Sequence, residues 1–142
     1  MPPLPDTPYL YDAEVVKFVD GDSVWLRLTK TFTLDFGFKI IDRQTKETVQ
    51  NFRLAGINAA ELRKPTREAG EAAKAELVNL LSQRLPIKVA THKTGKYGRY
   101  LVDIYVGEGP DYLHINAEML KSEFVVPYGD PVPASWTDPD LG

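Results

Sequence analysis

A chain of 142 residues, 43% of them hydrophobic and 26% charged, carries enough apolar surface for one compact domain with flanking residues to spare. A net charge of −3 argues against a broad basic coat for nucleic acid, and no run is apolar for long enough to span a bilayer. The absence of cysteine excludes disulfides and thiolate metal sites, and MPPLPDTPYLYDAE lacks the basic start and apolar core of a secretory leader, so the chain is expected in the cytoplasm or as a trimmed product.

Four prolines within residues 1–8 predict an extended lead-in, taken as residues 1–13. Glu14 to Val19 reads as a short strand closed by Asp20-Gly21-Asp22, where glycine permits a tight turn. Val24, Leu26 and Leu28 then alternate with Trp25, Arg27 and Thr29 at the period of a strand with one buried face. The same period runs on through Phe32, Leu34, Phe36, Phe38 and Ile40, the polar stretch DRQTKET follows, and Val49 to Ile57 resumes strand character. This pattern predicts a long hairpin turning near Arg43 to Lys46. An isolated arm of that kind is marginal, so its apolar face is expected to pack on the body or on a partner.

From Thr66 the period becomes helical, with Ala69, Ala72, Ala73, Leu77, Leu80 and Leu81 at three- and four-residue spacings and Pro86 enforcing a stop. Gly70 in the first turns costs roughly 1 kcal/mol against alanine, which points to close packing there. Ile87 to Thr91 and Tyr100 to Val106 read as strands joined by THKTGKYG, His114 to Lys121 as a shorter helix, and residues 130–142 as a tail. These elements describe a mainly β fold with helices: either a five-stranded OB-type barrel capped by two or three helices and bearing an extended β-hairpin, or an open antiparallel sheet with helices on one face.

Three separated pieces carry the chemistry. In FRLAGINAAE, residues 52–61, a strand bearing Arg53 runs into a turn that presents Asn58 and Glu61. Asp20 and Asp22 lie upstream, and Lys96-Tyr97-Gly98-Arg99 lies downstream, at the end of a stretch from Arg84 with five basic residues and no acid. A phosphodiester is an anion, so water attacks it readily only where cations neutralise the charge growing on its oxygens. Two guanidiniums suit that task because each is always charged and grips two oxygens at once. A hard cation such as calcium would draw oxygens from Asp22, Asn58 and a backbone carbonyl near Ala59, and Glu61 would orient a water and accept its proton. Taken singly, each feature has a plainer reading: an ordinary turn, a strand arginine paired with a carboxylate, a solvated basic loop.

In order, VDGDSVWL, FRLAGINAAE, an alanine-rich helix, TGKYGRYLVDIYV and a short helix ending near FVVPYG resemble the staphylococcal thermonuclease family over roughly residues 14–129. The resemblance implies an OB-type barrel and a calcium-dependent endonuclease that cuts DNA and RNA, single-stranded or frayed, leaving 3′-phosphate ends. By matching position Asp22 resembles a metal-binding aspartate, with Asp20 supporting it from behind. Arg53 and Arg99 resemble the phosphate-binding arginines, and Glu61 the glutamate beside the attacking water. Lys96 and Tyr97 fall where the family contacts a terminal phosphate, and Tyr128 is the candidate aromatic flanking a bound base.

Two departures from the family stand out. Asparagine occupies position 58 where the family usually has aspartate, and Ala59-Ala60 replaces Thr-Pro. Asn58 keeps an oxygen for the ion but loses a charge, so weaker metal binding is expected. The long hairpin replaces a much shorter turn. A noncatalytic module binding nucleic acid or protein on the same barrel is the alternative function, and a structural domain with vestigial residues is the plainest one. A monomer is the default.

Overall fold

The structure, a computed structural model, describes residues 3–38, 41–92 and 100–137. Its body is a ring of five strands: β1 (Leu10–Phe18), β2 (Ser23–Asp35), β3 (Ile41–Leu54), β5 (Ile87–Thr91) and β6 (Tyr100–Val106), with β4 (Ile57–Ala59) between β3 and β5 in sequence. Strand β1 pairs with β2 and β5, β2 with β3, and β5 with β6, all antiparallel. The ring closes where Phe52–Leu54 of β3 runs parallel to Tyr100–Val102 of β6. That closure selects the OB-type barrel over the open sheet.

Alternation decides which side chains enter the ring. Val24, Leu26 and Leu28 of β2, Phe52 and Leu54 of β3, Val89 of β5, and Val102, Ile104 and Val106 of β6 all point inward and are buried. Helix α1 (Arg67–Leu81) caps the ring with Ala73, Leu77 and Leu81, while Ala69, one turn earlier, is buried in a second cluster with Ala60; all four are among the positions its helical spacing singles out. Strand β7 (Leu113–His114) and helix α2 (Ile115–Met119) follow, and β8 (Val125–Pro127) returns to pair with β4. Buried Asn116 at the start of α2 fastens this end: it accepts from Ile104 N–H at 3.0 Å and donates to the carbonyls of Ala55 and Val102 at 2.9 and 3.0 Å.

Three local expectations change. The first strand begins at Leu10 and not at Glu14, because Leu10–Ala13, expected in the extended lead-in, pair with Ala90–Ile87 of β5. The hairpin does not turn at Arg43 to Lys46: those residues lie inside β3, opposite Thr33 to Lys30, and the register runs on to Asp35 opposite Ile41. Asp35 accepts the Gly37 N–H at 2.8 Å, and Gly37, at φ +82°, supplies the left-handed turn residue. The polar run DRQTKET misleads because a two-stranded ribbon with water on both faces needs no apolar residues. Phe32, Leu34, Phe36 and Phe38 on this ribbon are exposed, so the body of the chain does not cover them.

Gly21 is glycine for want of space, not for its φ. A Cβ there would stand 2.7 Å from the Ala73 Cβ and 2.9 Å from that of Ala59, so the Asp20–Asp22 turn lies flat against α1. At the other end of the chain Trp136, in a single 3-10 turn, is buried against Ala60 and Ala69 and donates its indole N–H to the Glu123 carbonyl at 2.7 Å. A lone tryptophan in a proline-rich acidic run has no periodicity to betray it. No helix among the described residues is long and apolar enough to cross a membrane.

Candidate functional site

The turn after β1 bends back because Val19 and Asp20 both donate N–H to the Ser23 carbonyl, and Asp20 Oδ1 accepts the Asp22 N–H at 3.1 Å. This Asx turn aims the Asp22 carboxylate inward, where it is 5% exposed. Its Oδ2 accepts the Ala59 N–H at 2.9 Å, and its Oδ1 accepts the Ser23 hydroxyl at 3.3 Å. Burial pushes the Asp22 carboxyl up to about 6; Asp20 adds to the rise, and the Ala59 N–H and Arg53 oppose it.

Arg53 leaves β3 on the outer side of the barrel, since its neighbour Phe52 points in. Its Nη2 donates to Asn58 Oδ1 at 3.1 Å and lies 3.5 Å from both Asp22 Oδ2 and the Ile57 carbonyl. The Tyr128 ring covers it, with the guanidinium carbon 5.6 Å from the ring centroid. Tyr128 reaches this place because β4 pairs with β8 and the Tyr128 N–H donates to the Gly56 carbonyl at 3.0 Å. Its own ring stays exposed.

Glu61 sits on the rim. Its carboxylate accepts from Arg63 Nε at 2.8 Å, and this ion pair holds the Arg63 guanidinium above its usual value. The backbone beneath is tightly held: Thr66 Oγ1 donates to the Glu61 carbonyl at 3.1 Å, and Gly70 of α1 comes so close that a Cβ there would lie 2.2 Å from that same oxygen. Sequence reasoning missed Arg63. The signal was available, because residues two apart on an extended segment share a side.

Asp20, Asp22, Arg53, Asn58, Ala59, Glu61, Leu62 and Arg63 line one recess of about 310 Å³. The structure therefore brings together six of the ten candidate residues directly, with Tyr128 beside them through Arg53. Lys96, Tyr97 and Arg99 lie outside the described residues.

The side chains and backbone on offer to an ion are all oxygen donors, which suits a hard cation. The buried Asp22 carboxylate, facing the like charge of Asp20, would be relieved by a positive ion in the recess. Among the described residues no three His, Cys, Asp or Glu side chains converge to hold an ion by themselves. The recess thus fits an ion that also draws on the Asn58 amide, a backbone carbonyl and water. Arg53 faces the recess from its buried side and Arg63 from its rim, and guanidiniums so placed suit an anion with several oxygens.

A family model described as staphylococcal nuclease homologue matches residues 51–128, which run from the end of β3 through α1, β6 and β8 to Tyr128. Comparison with curated proteins returns no match.

Proposed function

The chain belongs to the staphylococcal nuclease homologue family, and on that premise we propose that it is a calcium-dependent endonuclease that hydrolyses phosphodiester bonds of DNA and RNA and leaves 3′-phosphate ends. The observation that carries this reading is Arg53 at the floor of an acid-lined recess, within 3.1–3.5 Å of Asn58 and the buried Asp22 and covered by the Tyr128 ring.

Asp22, Asn58 and the Ala59 carbonyl would hold the ion, with Asp20 keeping the Asp22 turn in place. Calcium bound there supplies positive charge against the phosphate and a site that orients water. Arg53 turns its guanidinium toward the phosphate oxygens as their charge grows, and Arg99 provides the second cation. Glu61 takes a proton from the attacking water once its carboxylate lets go of Arg63, and Arg63 is then free for the phosphate. Attack at phosphorus breaks the bond to the 5′-oxygen, which takes a proton from solvent, so the products are a 3′-phosphate and a 5′-hydroxyl. Tyr128 flanks the base, while Lys96 and Tyr97 contact the terminal phosphate.

Two observations favour a second reading, a noncatalytic module that binds nucleic acid: position 58 is neutral, and Glu61 is engaged by Arg63. Incubating the purified chain with denatured DNA, with calcium or with chelator, decides between them. Fragments bearing 3′-phosphate in calcium alone are the expected result; intact DNA retained by the protein in both conditions would favour the binding module.

A further inference from the structure

A second recess, of about 450 Å³, opens on the face of the β2–β3 ribbon that points into the barrel, and its lining includes Tyr11, Lys30, Lys46, Phe52, His92 and Tyr100. None of these residues belongs to the Arg53 recess. Its volume is in the range of about 300–1,000 Å³ typical of ligand sites. The inward face of β2 runs from buried Leu26 and Leu28 to Lys30 and then to exposed Phe32, so the recess lies where the barrel interior gives way to the free ribbon.

Its lining is aromatic and polar, and Lys30, Lys46 and the carboxylate of Glu47 are its charged groups. Phe52 and Tyr100 pair with ring centroids 6.1 Å apart, and Lys30 Nζ stands 5.0 Å over the Tyr11 ring while also donating to the Pro8 carbonyl. Lys30 lies directly opposite Lys46 across the ribbon. Like charges at directly opposed positions on one face destabilise a strand pair, and the Tyr11 ring and the Pro8 carbonyl offset that cost on the Lys30 side alone. Lys46 makes no hydrogen bond or ion pair among the described residues. An anion between the two would turn that repulsion into attraction, and flat rings beside it would stack a base. His92 and Tyr100 also flank, in sequence, the segment that carries Lys96, Tyr97 and Arg99.

We propose that this recess is a second subsite for single-stranded nucleic acid, with phosphates on Lys30 and Lys46 and a base against Tyr11 and Tyr100. The long hairpin then exists to supply the lysine pair. The subsite rests on the reading that this chain engages nucleic acid, and not on its cutting it. A second copy of the chain fits the recess less well, because a two-fold contact through this face would bring lysine against lysine.

The test measures binding of the full chain to a short fluorescent oligothymidylate in chelator, where nothing is cut, across a series of salt concentrations. Lys30→Gln combined with Lys46→Gln is expected to weaken binding at low salt by about tenfold or more, and to reduce the slope of log affinity against log salt by about 1.4, at roughly 0.7 for each phosphate no longer neutralised. Lys46→Gln alone, which leaves Lys30 and its partners intact, should give about half that change in slope. Hydrolysis of a thymidine dinucleotide, whose single phosphate is committed to the Arg53 recess, should be unchanged in both variants. Wild-type affinity and slope in the double variant would overturn the subsite, as would a dimer that dissociates in the double variant while oligothymidylate binding stays the same. Dinucleotide cutting without oligothymidylate binding would leave the nuclease standing and remove the subsite; weakened binding in the variants with no cutting by any of them would do the reverse.

Discussion

Arg53 donates to Asn58 Oδ1 at 3.1 Å with the same Nη2 that lies 3.5 Å from buried Asp22 Oδ2, so a neutral amide and a carboxylate share one cation at the floor of the recess. Aspartate at position 58 would compete for Arg53 and at the same time add charge beside a metal ion. Asparagine leaves Arg53 less tightly held and the ion with one charge fewer.

The Asn58 oxygen is therefore the place to test metal binding. Asn58→Asp should tighten calcium binding by about tenfold, since a unit charge near 4 Å from a cation is worth on the order of 1–4 kcal/mol in a surface-like dielectric. Asn58→Ala should weaken it. Calorimetric titration of calcium in the presence of a nucleotide diphosphate gives the order; three indistinguishable curves would exclude Asn58 as a ligand and leave the ion to Asp22 and other oxygens.

Gly70 couples α1 to the Glu61 rim. Alanine is favoured over glycine in a helix by about 1 kcal/mol, yet a Cβ here would press into the Glu61 carbonyl and the Leu62 nitrogen, at 2.2 and 2.8 Å. Overpacking against backbone costs about 1–3 kcal/mol. Gly70→Ala is expected to lower both the unfolding free energy, by about 1 kcal/mol, and the rate of DNA hydrolysis, because relief comes by moving Glu61. An alanine variant as stable and as active as wild type would contradict that coupling.

Away from the site, Asp103 on β6 bridges both histidines of the chain, accepting from His114 Nε2 at 2.8 Å and from His92 Nε2, while Tyr105 stacks on His114 with centroids 4.7 Å apart. Burial raises the Asp103 carboxyl, but the hydrogen bonds and charges of His114 and His92 outweigh it and leave the group below the usual carboxylate value. A depressed carboxyl contributes stability above its unfolded value of 3.8, and that contribution is lost as pH falls through the folded value. Asp103→Asn should therefore lower the melting temperature at about pH 6, and the gap from wild type should close as pH falls toward about 2. A gap that persists undiminished at that acidity would assign the loss to packing.

Periodicity carried most of the fold. Val24, Leu26 and Leu28 at period two, and Ala73, Leu77 and Leu81 at helical spacing, are buried positions that close the barrel and its cap. It failed on the ribbon, where Arg43 to Lys46 pair with Thr33 to Lys30 in water and obey no burial pattern. In the site, Asp20, Asp22, Arg53, Asn58, Ala59 and Glu61 were legible from local motifs, and the barrel brings them into one recess. Arg63 was overlooked although its spacing from Glu61 marks it, whereas Trp136 and the Asp103 cluster were not legible. Trp136 acts only through docking on Ala60 and Ala69, and Asp103 through histidines delivered by two other segments.

The nuclease reading depends above all on Arg53 meeting the phosphate as its charge develops. The direct measurement is the rate constant for cutting denatured DNA at saturating calcium by wild type, Arg53→Ala and Arg53→Lys, with circular dichroism to verify the fold. Lysine keeps a cation beside Asp22 but loses the two-pronged grip on phosphate. Both variants are expected to stay folded, with the alanine rate lower by about 10²–10³-fold or more and the lysine rate reduced as well. Cutting by folded Arg53→Ala within a few-fold of wild type would contradict the assignment.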